Sequence, residues 1–306
     1  MNLEINLSIV ILTLNEEIHI ERCIKSVQPL TSKIFVVDSY STDGTVEIAR
    51  SLSTTVIQHK WKNQADQFQW GLDQFSSGSD WVMRLDADEY LEPELQAEIP
   101  ALLESLPSDV FGVYIRRKVF FHGKWIRYGG FYPQTLLRIW RTGSGRIEQR
   151  WMDEHIILPT GAKTVTASGH LVDDNHKGIT FWINKHNTYA TREAIDLLNY
   201  KYHFLNQDQA LLTMNSGQAK RKRMIKEKVY SKLPTGLRAF MYFCYRYFIR
   251  LGFLDGGEGF VWHFMQGFWY RLLVDIKIDE IEKKSRGDIE KMREVIRLDH
   301  GIDLSQ

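Results

Sequence analysis

The sequence predicts an α/β protein in which helices flank a mostly parallel sheet, followed by a helical extension rich in aromatic residues. Three observations support this prediction. Short β-branched apolar runs alternate with helical patterns of about ten residues over the first hundred positions. The segments that follow these runs are polar or acidic. Beyond residue 220 the composition becomes basic and then aromatic.

The four strands predicted in the first hundred residues are short apolar runs, typical of strands buried on both faces of a parallel sheet. They are Ser8–Leu14, Lys33–Val37, Thr55–Gln58 and Asp80–Leu85. Asn15 is expected to cap the first helix, which Pro29 ends. The helices that follow are Thr45–Leu52, Asn63–Phe75 and one near Pro93–Leu106. Because ligands bind beyond the carboxyl ends of parallel strands, we expect chemistry at residues 13–17, 38–43 and 86–89.

The pattern is looser after residue 106. Strands are predicted at Val110–Lys118, Thr135–Trp140 and Lys163–Leu171, and a helix at Thr180–Tyr200. The loop Phe120–Pro133 between the first two strands is rich in glycine and aromatic residues. Two interpretations of this loop stay open, a mobile lid over the substrates or an irregular loop packed on the body.

The composition excludes several classes of protein. The 306 residues are 43% hydrophobic and 25% charged, unlike disordered, collagen-like or coiled-coil proteins. The formal net charge is only +1, but residues 220–250 carry +9 and the rest of the chain therefore carries −8. The small net charge therefore results from an acidic body whose charge is offset by a basic late segment.

The cysteines and the N-terminus bear on the compartment. Cys23 and Cys244 are too few and too far apart for a disulfide framework or a thiolate metal site. The N-terminus lacks the basic region of a signal peptide, and no apolar stretch approaches the ~20 residues that span a bilayer. These features predict a cytoplasmic protein.

The strongest local signal is Asp86-Ala87-Asp88, directly after the fourth predicted strand. Two carboxylates that flank one small residue can face a divalent cation together, and Mg²⁺ and Mn²⁺ prefer such oxygen ligands. The alternative is a pair of solvated carboxylates in a turn, since this short pattern is common. The position after a buried strand favours the metal interpretation.

Three segments resemble, in order and spacing, the nucleotide-sugar half of the family 2 inverting glycosyltransferases, whose fold is called GT-A. They are SIVILTLNEE, VVDSYSTDGTVEIA and DWVMRLDADEYLEPEL, within roughly residues 5–106. Three later segments resemble the bacterial lipopolysaccharide core β-1,4-glucosyltransferase subgroup, namely WMDEHIIL, KHNTYATREA and LGFLDGGEGFVWHFMQGFWYR. The resemblance implies a GT-A domain over 1–215, with a nucleotide-sugar half (1–106) and an acceptor half (107–215), and a membrane-associating extension over 216–306.

The resemblance also implies which residues bind the nucleotide sugar. Those expected to line the nucleotide pocket or approach the uridine are Thr13, Asn15, Glu16, Asp38, Ser39 and Tyr40. Ser39 stands where the family often has a second acid, and Tyr40 either stacks on uracil or packs within the protein. Asp86 and Ala87 would contact the donor, and Asp86 and Asp88 would hold Mn²⁺ or Mg²⁺, chiefly through Asp88. The metal would neutralise charge that develops on the leaving diphosphate.

An inverting transfer also needs a base on the acceptor side of the anomeric carbon. The segment Trp151–His155 offers Asp153 and Glu154, between which the sequence does not choose. The alternative is a surface turn with ordinary acids. The candidates for extra metal or phosphate contacts are His155, His170 and His176, although a single histidine is more often structural.

The late segment contains 13 of the chain's 38 aromatic residues within Leu237–Val274. Residues Leu237–Leu251 are predicted to form one helix with a narrow basic stripe and a broad apolar face. The basic residues expected to contact anionic lipid are Lys220, Arg221, Lys222, Arg223, Arg238, Arg246 and Arg250. The alternative is a pair of helices that packs on the catalytic domain or on a second subunit.

The sequence therefore predicts a metal-dependent enzyme that transfers a hexose, with inversion, from a UDP-sugar to a lipid-anchored saccharide. The acceptor would belong to lipopolysaccharide or envelope polysaccharide synthesis, at the inner face of the cytoplasmic membrane. A homo-oligomer is left open. One alternative is a polyprenyl-phosphate sugar synthase, and another is a non-catalytic membrane or nucleic-acid-binding protein with the same fold. Nucleic acid is the poorer partner, because the aromatic residues do not interleave with the basic run.

Overall fold

Four parallel strands form one half of the main sheet in the computed structural model, which describes residues 5–75, 78–148, 155–204, 236–302 and 304. The strands are β1 (Leu7–Thr13), β2 (Ile34–Asp38), β3 (Thr55–Gln58) and β4 (Trp81–Asp86), in the spatial order β3-β2-β1-β4. Each lies within one residue of its predicted bounds. Every residue of β1 is buried, as a strand covered on both faces requires.

Helices cover both faces of this half. They are α1 (Ile20–Val27), α2 (Thr45–Ser51), α3 (Gln64–Phe75) and α4 (Pro93–Ser105). Alternate residues of β1 point to opposite sides of the sheet. Ile9 belongs to the core cluster that contains residues of α1 and α4, whereas Val10 packs in the cluster that contains Phe68 of α3. The predicted α/β class is thereby confirmed.

The prediction that Asn15 caps the first helix is wrong. The helix begins at Ile20, and Asn15 adopts a left-handed backbone conformation with φ of 54°. Its side-chain oxygen accepts a hydrogen bond from the Thr42 amide at 2.8 Å, and its own amide donates to the Ser41 hydroxyl at 2.7 Å. Asn15 therefore ties the loop after β1 to the loop after β2.

The second half of the sheet is mixed. Its strands are β5 (Glu89–Leu91), β6 (Val110–Phe121), β7 (Lys124–Trp125), β8 (Gln134–Arg141) and β11 (Lys163–Asp174); β9 (Arg146–Ile147) and β10 (Ile156–Ile157) form a separate pair. From β4 the order continues β8-β6-β11-β5, with β6 and β11 parallel and the other neighbours antiparallel. Strand β11 runs three residues past its predicted end, which sets Asp173 opposite Glu89.

Helical segments complete the described chain. They are α5 (Gly178–Tyr202), α6 (Leu237–Cys244), α7 (Gly256–Trp262), α8 (Tyr270–Ser285) and α9 (Ile289–His300). Helix α6 continues as a π-helical turn, so Leu237–Leu251 is not one regular α-helix. Ala190 and Ala194 of α5 pack against Tyr270 and Val274 of α8, which confirms the predicted helical extension and seats it on α5. Within the described ranges, no helix is both long and apolar enough to cross a bilayer.

Candidate functional site

The loops after β1 and β2 meet at a buried carboxylate. Asp38 is fully buried and accepts hydrogen bonds from the Ser41 amide and the Gln58 side-chain amide, each at 2.9 Å. The Ser39 amide donates to the Thr13 carbonyl at 3.0 Å. Asp38 thus fixes the turn after β2, and this turn holds Tyr40 with φ of 62° and its side chain 56% exposed. Tyr40 is therefore available to stack on a ligand rather than packed within the protein.

Glu16 joins this region to the start of α5. One of its carboxylate oxygens accepts a hydrogen bond from Lys177 at 2.6 Å, and the other lies 2.6 Å from Nδ1 of the fully buried His19. His19 Nε2 accepts the His176 amide at 2.8 Å, so Nδ1 carries the proton that His19 donates to Glu16. The sequence did not single out either partner: His19 meets Glu16 within one local turn, whereas Lys177 is 161 residues away and meets it only through the fold.

The acidic residues after β4 lie among buried cations. Burial alone would raise the pKa of Asp86, but Arg84 and Arg138 outweigh burial and lower that pKa to about 2. Their guanidinium groups lie 3.4 and 3.6 Å from the Asp86 carboxylate. Asp88 accepts a hydrogen bond from the Asn175 side-chain amide at 3.0 Å, and Lys185 Nζ lies 3.8 Å from the same oxygen. Lys185 is the chief group that holds the pKa of Asp88 below its usual value against the effect of burial.

Glu89 is the centre of this charged network. Its side chain is 1% exposed, forms a close ion pair with Arg138, and accepts the Asp86 amide at 3.0 Å. Arg117 bridges Glu89 at 3.7 Å and Asp173 at 3.1 Å. Burial raises the pKa of both Glu89 and Asp173. The network draws on β4, β5, β6, β8 and β11, so the sheet register determines which cations meet these carboxylates.

The donor set fits one divalent cation through Asp88. In the part of the chain that the structure describes, no three His, Cys, Asp or Glu residues converge to hold a metal. Asp86 faces two guanidinium groups, whereas Asp88 offers an oxygen beside a single ammonium group. Mg²⁺ characteristically takes one or two carboxylates and completes its shell with water and substrate phosphates. Asp88 is therefore the residue best placed to hold Mn²⁺ or Mg²⁺ together with a diphosphate.

The histidines predicted as extra contacts lie beside other protein side chains, and His176 Nε2 is 2.8 Å from the Asp174 carboxylate. His155 Nδ1 lies 3.8 Å from the buried Glu148 carboxylate. His170 hydrogen-bonds to the Tyr132 hydroxyl at 2.7 Å and lies 3.5 Å from Glu92. The candidate bases Asp153 and Glu154 lie outside the described residues.

Two of the three described residues of the basic stripe face inwards, contrary to prediction. Arg238 forms an ion pair with Asp275 of α8, with Nε at 2.6 Å from the carboxylate. Arg246 is 4% exposed and donates to the Gly129 carbonyl at 3.1 Å. These two residues are thus engaged by the protein and unavailable to lipid, and only Arg250 of the three described stripe residues is exposed. Lys220, Arg221, Lys222 and Arg223 lie outside the described residues.

The opposite side of the extension is apolar and exposed. We define the apolar face as the exposed large hydrophobic residues between Leu237 and Phe264. It comprises Leu237, Phe240, Met241, Tyr245, Phe248, Ile249, Leu251, Phe253, Leu254, Phe260, Val261 and Phe264. Soluble monomers rarely expose a large continuous apolar surface unless it binds a partner or a membrane.

The loop Phe120–Pro133 is packed beneath the extension. The buried Asp255 accepts the Arg127 and Tyr128 amides at 3.1 and 2.9 Å. Gly129 has φ of 71°, and a Cβ at this position would lie 2.1 Å from the His263 ring. Of the two interpretations of this loop, the structure supports the packed loop.

Comparison with known proteins identifies a family match and related glycosyltransferases. The model of the family described as "Glycosyl transferase family 2" matches residues 8–164. A lipopolysaccharide core biosynthesis glycosyltransferase of Rhizobium meliloti is 30% identical over 198 residues, which are 61% of this chain and 70% of that protein. An uncharacterized glycosyltransferase of Rickettsia typhi is 28% identical over 290 residues, covering 92% of this chain and 90% of its own.

Among solved structures, glucosyl-3-phosphoglycerate synthase from Mycobacterium tuberculosis, in complex with Mn²⁺, UDP and glucosyl-3-phosphoglycerate, matches 38% of this chain and 44% of its own. The sequence identity is 25% and the TM-score is 0.31, an overlap too small to locate a shared site. The family match, together with the four parallel strands and the mixed second half of the sheet, confirms the predicted GT-A fold.

Proposed function

Because the chain belongs to glycosyl transferase family 2, we propose that it transfers a hexose, with inversion, from a UDP-sugar to a lipid-anchored saccharide with the help of Mn²⁺ or Mg²⁺. The observation that supports this proposal is the position and charge of the Asp88 carboxylate. This carboxylate follows the central parallel strand β4, stays ionised at neutral pH, and faces a single ammonium group. A nucleotide diphosphate with a divalent cation suits such a position.

The loops after β1 and β2 would receive the nucleotide. Tyr40 stands exposed beside the turn that Asp38 fixes, and the buried Thr13 hydroxyl has no hydrogen-bond partner in the described chain. Any nucleotide base could stack on Tyr40, because every base has a π-face. Selection of one base would require hydrogen bonds from the protein to its edge. The assignment of uridine rests on the family resemblance of the three N-terminal segments.

The reaction needs neutralisation of the leaving diphosphate and activation of the acceptor hydroxyl. A cation held by Asp88 would act as a Lewis acid on the diphosphate. Lys185 would add a positive charge beside it, and the buried Glu89–Arg138 pair would keep Asp86 oriented and ionised. Asp153 or Glu154 would accept the proton of the attacking hydroxyl.

The acceptor and the location follow from two further observations. The Rhizobium meliloti relative is described as acting in lipopolysaccharide core biosynthesis, which supports a saccharide of lipopolysaccharide or of envelope polysaccharide as acceptor. The apolar face would lie on the inner leaflet of the cytoplasmic membrane, where such acceptors are anchored. The domain division at residue 215 is part of the same proposal.

Donor binding is the first test. Purified protein is screened by thermal shift against nucleotide sugars with and without Mn²⁺, since a ligand of the folded state raises the melting temperature. We expect stabilisation by one or more UDP-sugars that depends on metal and is lost in Asp88→Asn. Asp73→Asn, an exposed carboxylate on α3, serves as the control. Near-full metal-dependent transfer by Asp88→Asn would refute the role of Asp88, and a product with retained anomeric configuration would refute inversion.

Acceptor class and membrane binding need separate tests. Transfer to bare polyprenyl phosphate would identify the alternative synthase instead. For the apolar face, we expect Phe248→Glu with Ile249→Glu to abolish flotation with liposomes that contain anionic phospholipid. Leu298→Glu is the matched control, because Leu298 is 68% exposed but lies on α9, outside the face. Equal flotation of the double variant and the control would contradict the membrane proposal.

A further inference from the structure

A cleft of about 540 Å³ lies between α5, the last two helices and the loop that precedes α3. Positively charged side chains enter it from three separate parts of the chain. Lys62 comes from the loop before α3, Arg192 from the middle of α5, and Lys277 from α8. His300, at the end of α9, and Asn187 add hydrogen-bonding groups to the wall.

In the described chain none of the three cations forms a direct ion pair, and Glu280, the carboxylate whose charge acts on Lys277, is itself bound to Lys284 at 2.8 Å. The acid that lines the cleft, Asp299, is also bound to Lys284, at 2.8 Å. Burial lowers the pKa of Lys277, which is half-buried. Convergent like charges repel one another, so an arrangement of this kind is stabilised when an anion binds among them.

The cleft adjoins the proposed donor site along α5. Lys185, which faces Asp88, and Arg192 are seven residues apart and therefore lie on the same side of the helix, about 10 Å apart along its axis. Trp61 is 39% exposed, and its ring centroid lies 5.9 Å from the Arg192 guanidinium. An exposed aromatic ring beside cations suits a ligand that has both a sugar face and a negative charge.

We propose that this cleft binds a saccharide that carries a phosphate or carboxylate group, and that this saccharide is the anionic part of the acceptor. The first half stands on the cleft alone, whereas the assignment to the acceptor rests on the proposed glycosyltransferase function. Arg192 and Lys277 supply the charge-assisted hydrogen bonds, and Trp61 supplies the surface against which a sugar ring packs. The reacting hydroxyl would then lie towards Asp88, one to two helical turns from the anionic group.

Binding is measured by isothermal titration calorimetry with three probes: trehalose 6-phosphate for a phosphate, trigalacturonate for carboxylates, and maltotriose as the neutral saccharide. We expect one or both anionic probes to bind and maltotriose not to bind. Arg192→Met and Lys277→Met should each weaken that binding by roughly ten-fold, as expected for loss of a charge-assisted hydrogen bond. Lys291→Met is the matched control, because Lys291 is an exposed lysine on α9 outside the cleft.

Titration of the same variants with a UDP-sugar and Mn²⁺ separates this proposal from the proposed function. Unchanged UDP-sugar binding together with weakened binding of the anionic saccharide supports a distinct acceptor site. Equal loss of both ligands would assign the cleft to the donor and overturn the proposal, as would absence of binding by either anionic saccharide to a protein that binds the UDP-sugar. If wild-type protein binds the anionic saccharide but no UDP-sugar, the proposed function fails while the saccharide site stands.

Discussion

Replacing Lys185 with methionine removes the positive charge that faces Asp88, and the structure sets the size of the effect. The ammonium nitrogen lies 3.8 Å from the Asp88 carboxylate, so Coulomb's law with an effective dielectric constant of ~20 gives a gross attraction of about 4 kcal/mol. The Lys185 and Asp88 side chains are 36% and 13% exposed. Solvent screening and the cost of desolvation reduce the net coupling free energy to about 1–2 kcal/mol.

The coupling is measured by a double-mutant cycle of urea unfolding with wild-type protein, Lys185→Met, Asp88→Asn and the double variant. A second cycle on Lys25 and Glu21 is the control, since this pair is close but both side chains are more than half exposed. We expect about 1–2 kcal/mol for the first pair and about 0.3–0.5 kcal/mol for the second. Because the pKa of Asp88 is lowered in the folded state, its coupling should be present above about pH 4 and lost as the pH falls through the lower, folded value.

A coupling free energy for Lys185 and Asp88 no larger than that of the exposed control pair would refute this reasoning. It would mean that water screens Asp88 as fully as it screens a surface carboxylate. Asp88 would then owe its ionisation to Asn175 and solvent, and the charge available to a divalent cation would not depend on α5. A coupling that does not weaken at all as the pH is lowered below about 4 into the acid range where Asp88 becomes protonated would also contradict the argument, because protonated Asp88 has no charge to pair.

Three further predictions concern stability. Gly129→Ala should destabilise the fold by about 3 kcal/mol, because the new Cβ overlaps the His263 ring; Gly123→Ala, also at positive φ but in open space, should cost only about 1 kcal/mol in the same urea titration. Asp255→Ala should cost about 3 kcal/mol by leaving two loop amides unpaired, and unchanged proteolysis of the loop Phe120–Pro133 would contradict this. Asp86→Asn should lower the free energy of unfolding by about 2 kcal/mol near pH 6. This difference from wild type should shrink as the pH falls from about 4 towards 2, because the folded protein stabilises only the ionised form of Asp86.

The first half of the fold was predictable because its signals are local. The apolar runs of β1 to β4 and the helical spacing between them each extend over a dozen residues or fewer, and the observed bounds differ by at most one residue for the strands. The pattern also located the acidic residues at the carboxyl end of β4. Asn15 was misassigned because its partners, Ser41 and Thr42, belong to the next strand's loop and have no local signature.

The groups that surround the acidic residues were not predictable in the same way. Asp86 meets Arg138, and Asp88 meets Lys185, across roughly fifty to a hundred residues of sequence, and each contact depends on the register of β8 or the placement of α5. The periodicity of helices and strands cannot predict such contacts, because it relates only residues within the same helix or strand. The cleft formed by Lys62, Arg192 and Lys277 was missed for the same reason.

The C-terminal extension shows most clearly what the sequence determines and what only the tertiary structure decides. The four-residue spacing of Arg238, Arg246 and their neighbours determined that they share one side of the helical segment, and composition determined that the other side is apolar. The sequence by itself thus determined the positions of the first four strands, the acidic residues at their ends and an amphipathic tail. Only the tertiary structure decided which side of the tail is buried, because Asp275 and the Gly129 carbonyl satisfy the arginines from distant elements. Arg238 and Arg246 are paired inside the protein, so this part of the basic side faces inwards and the apolar face is exposed.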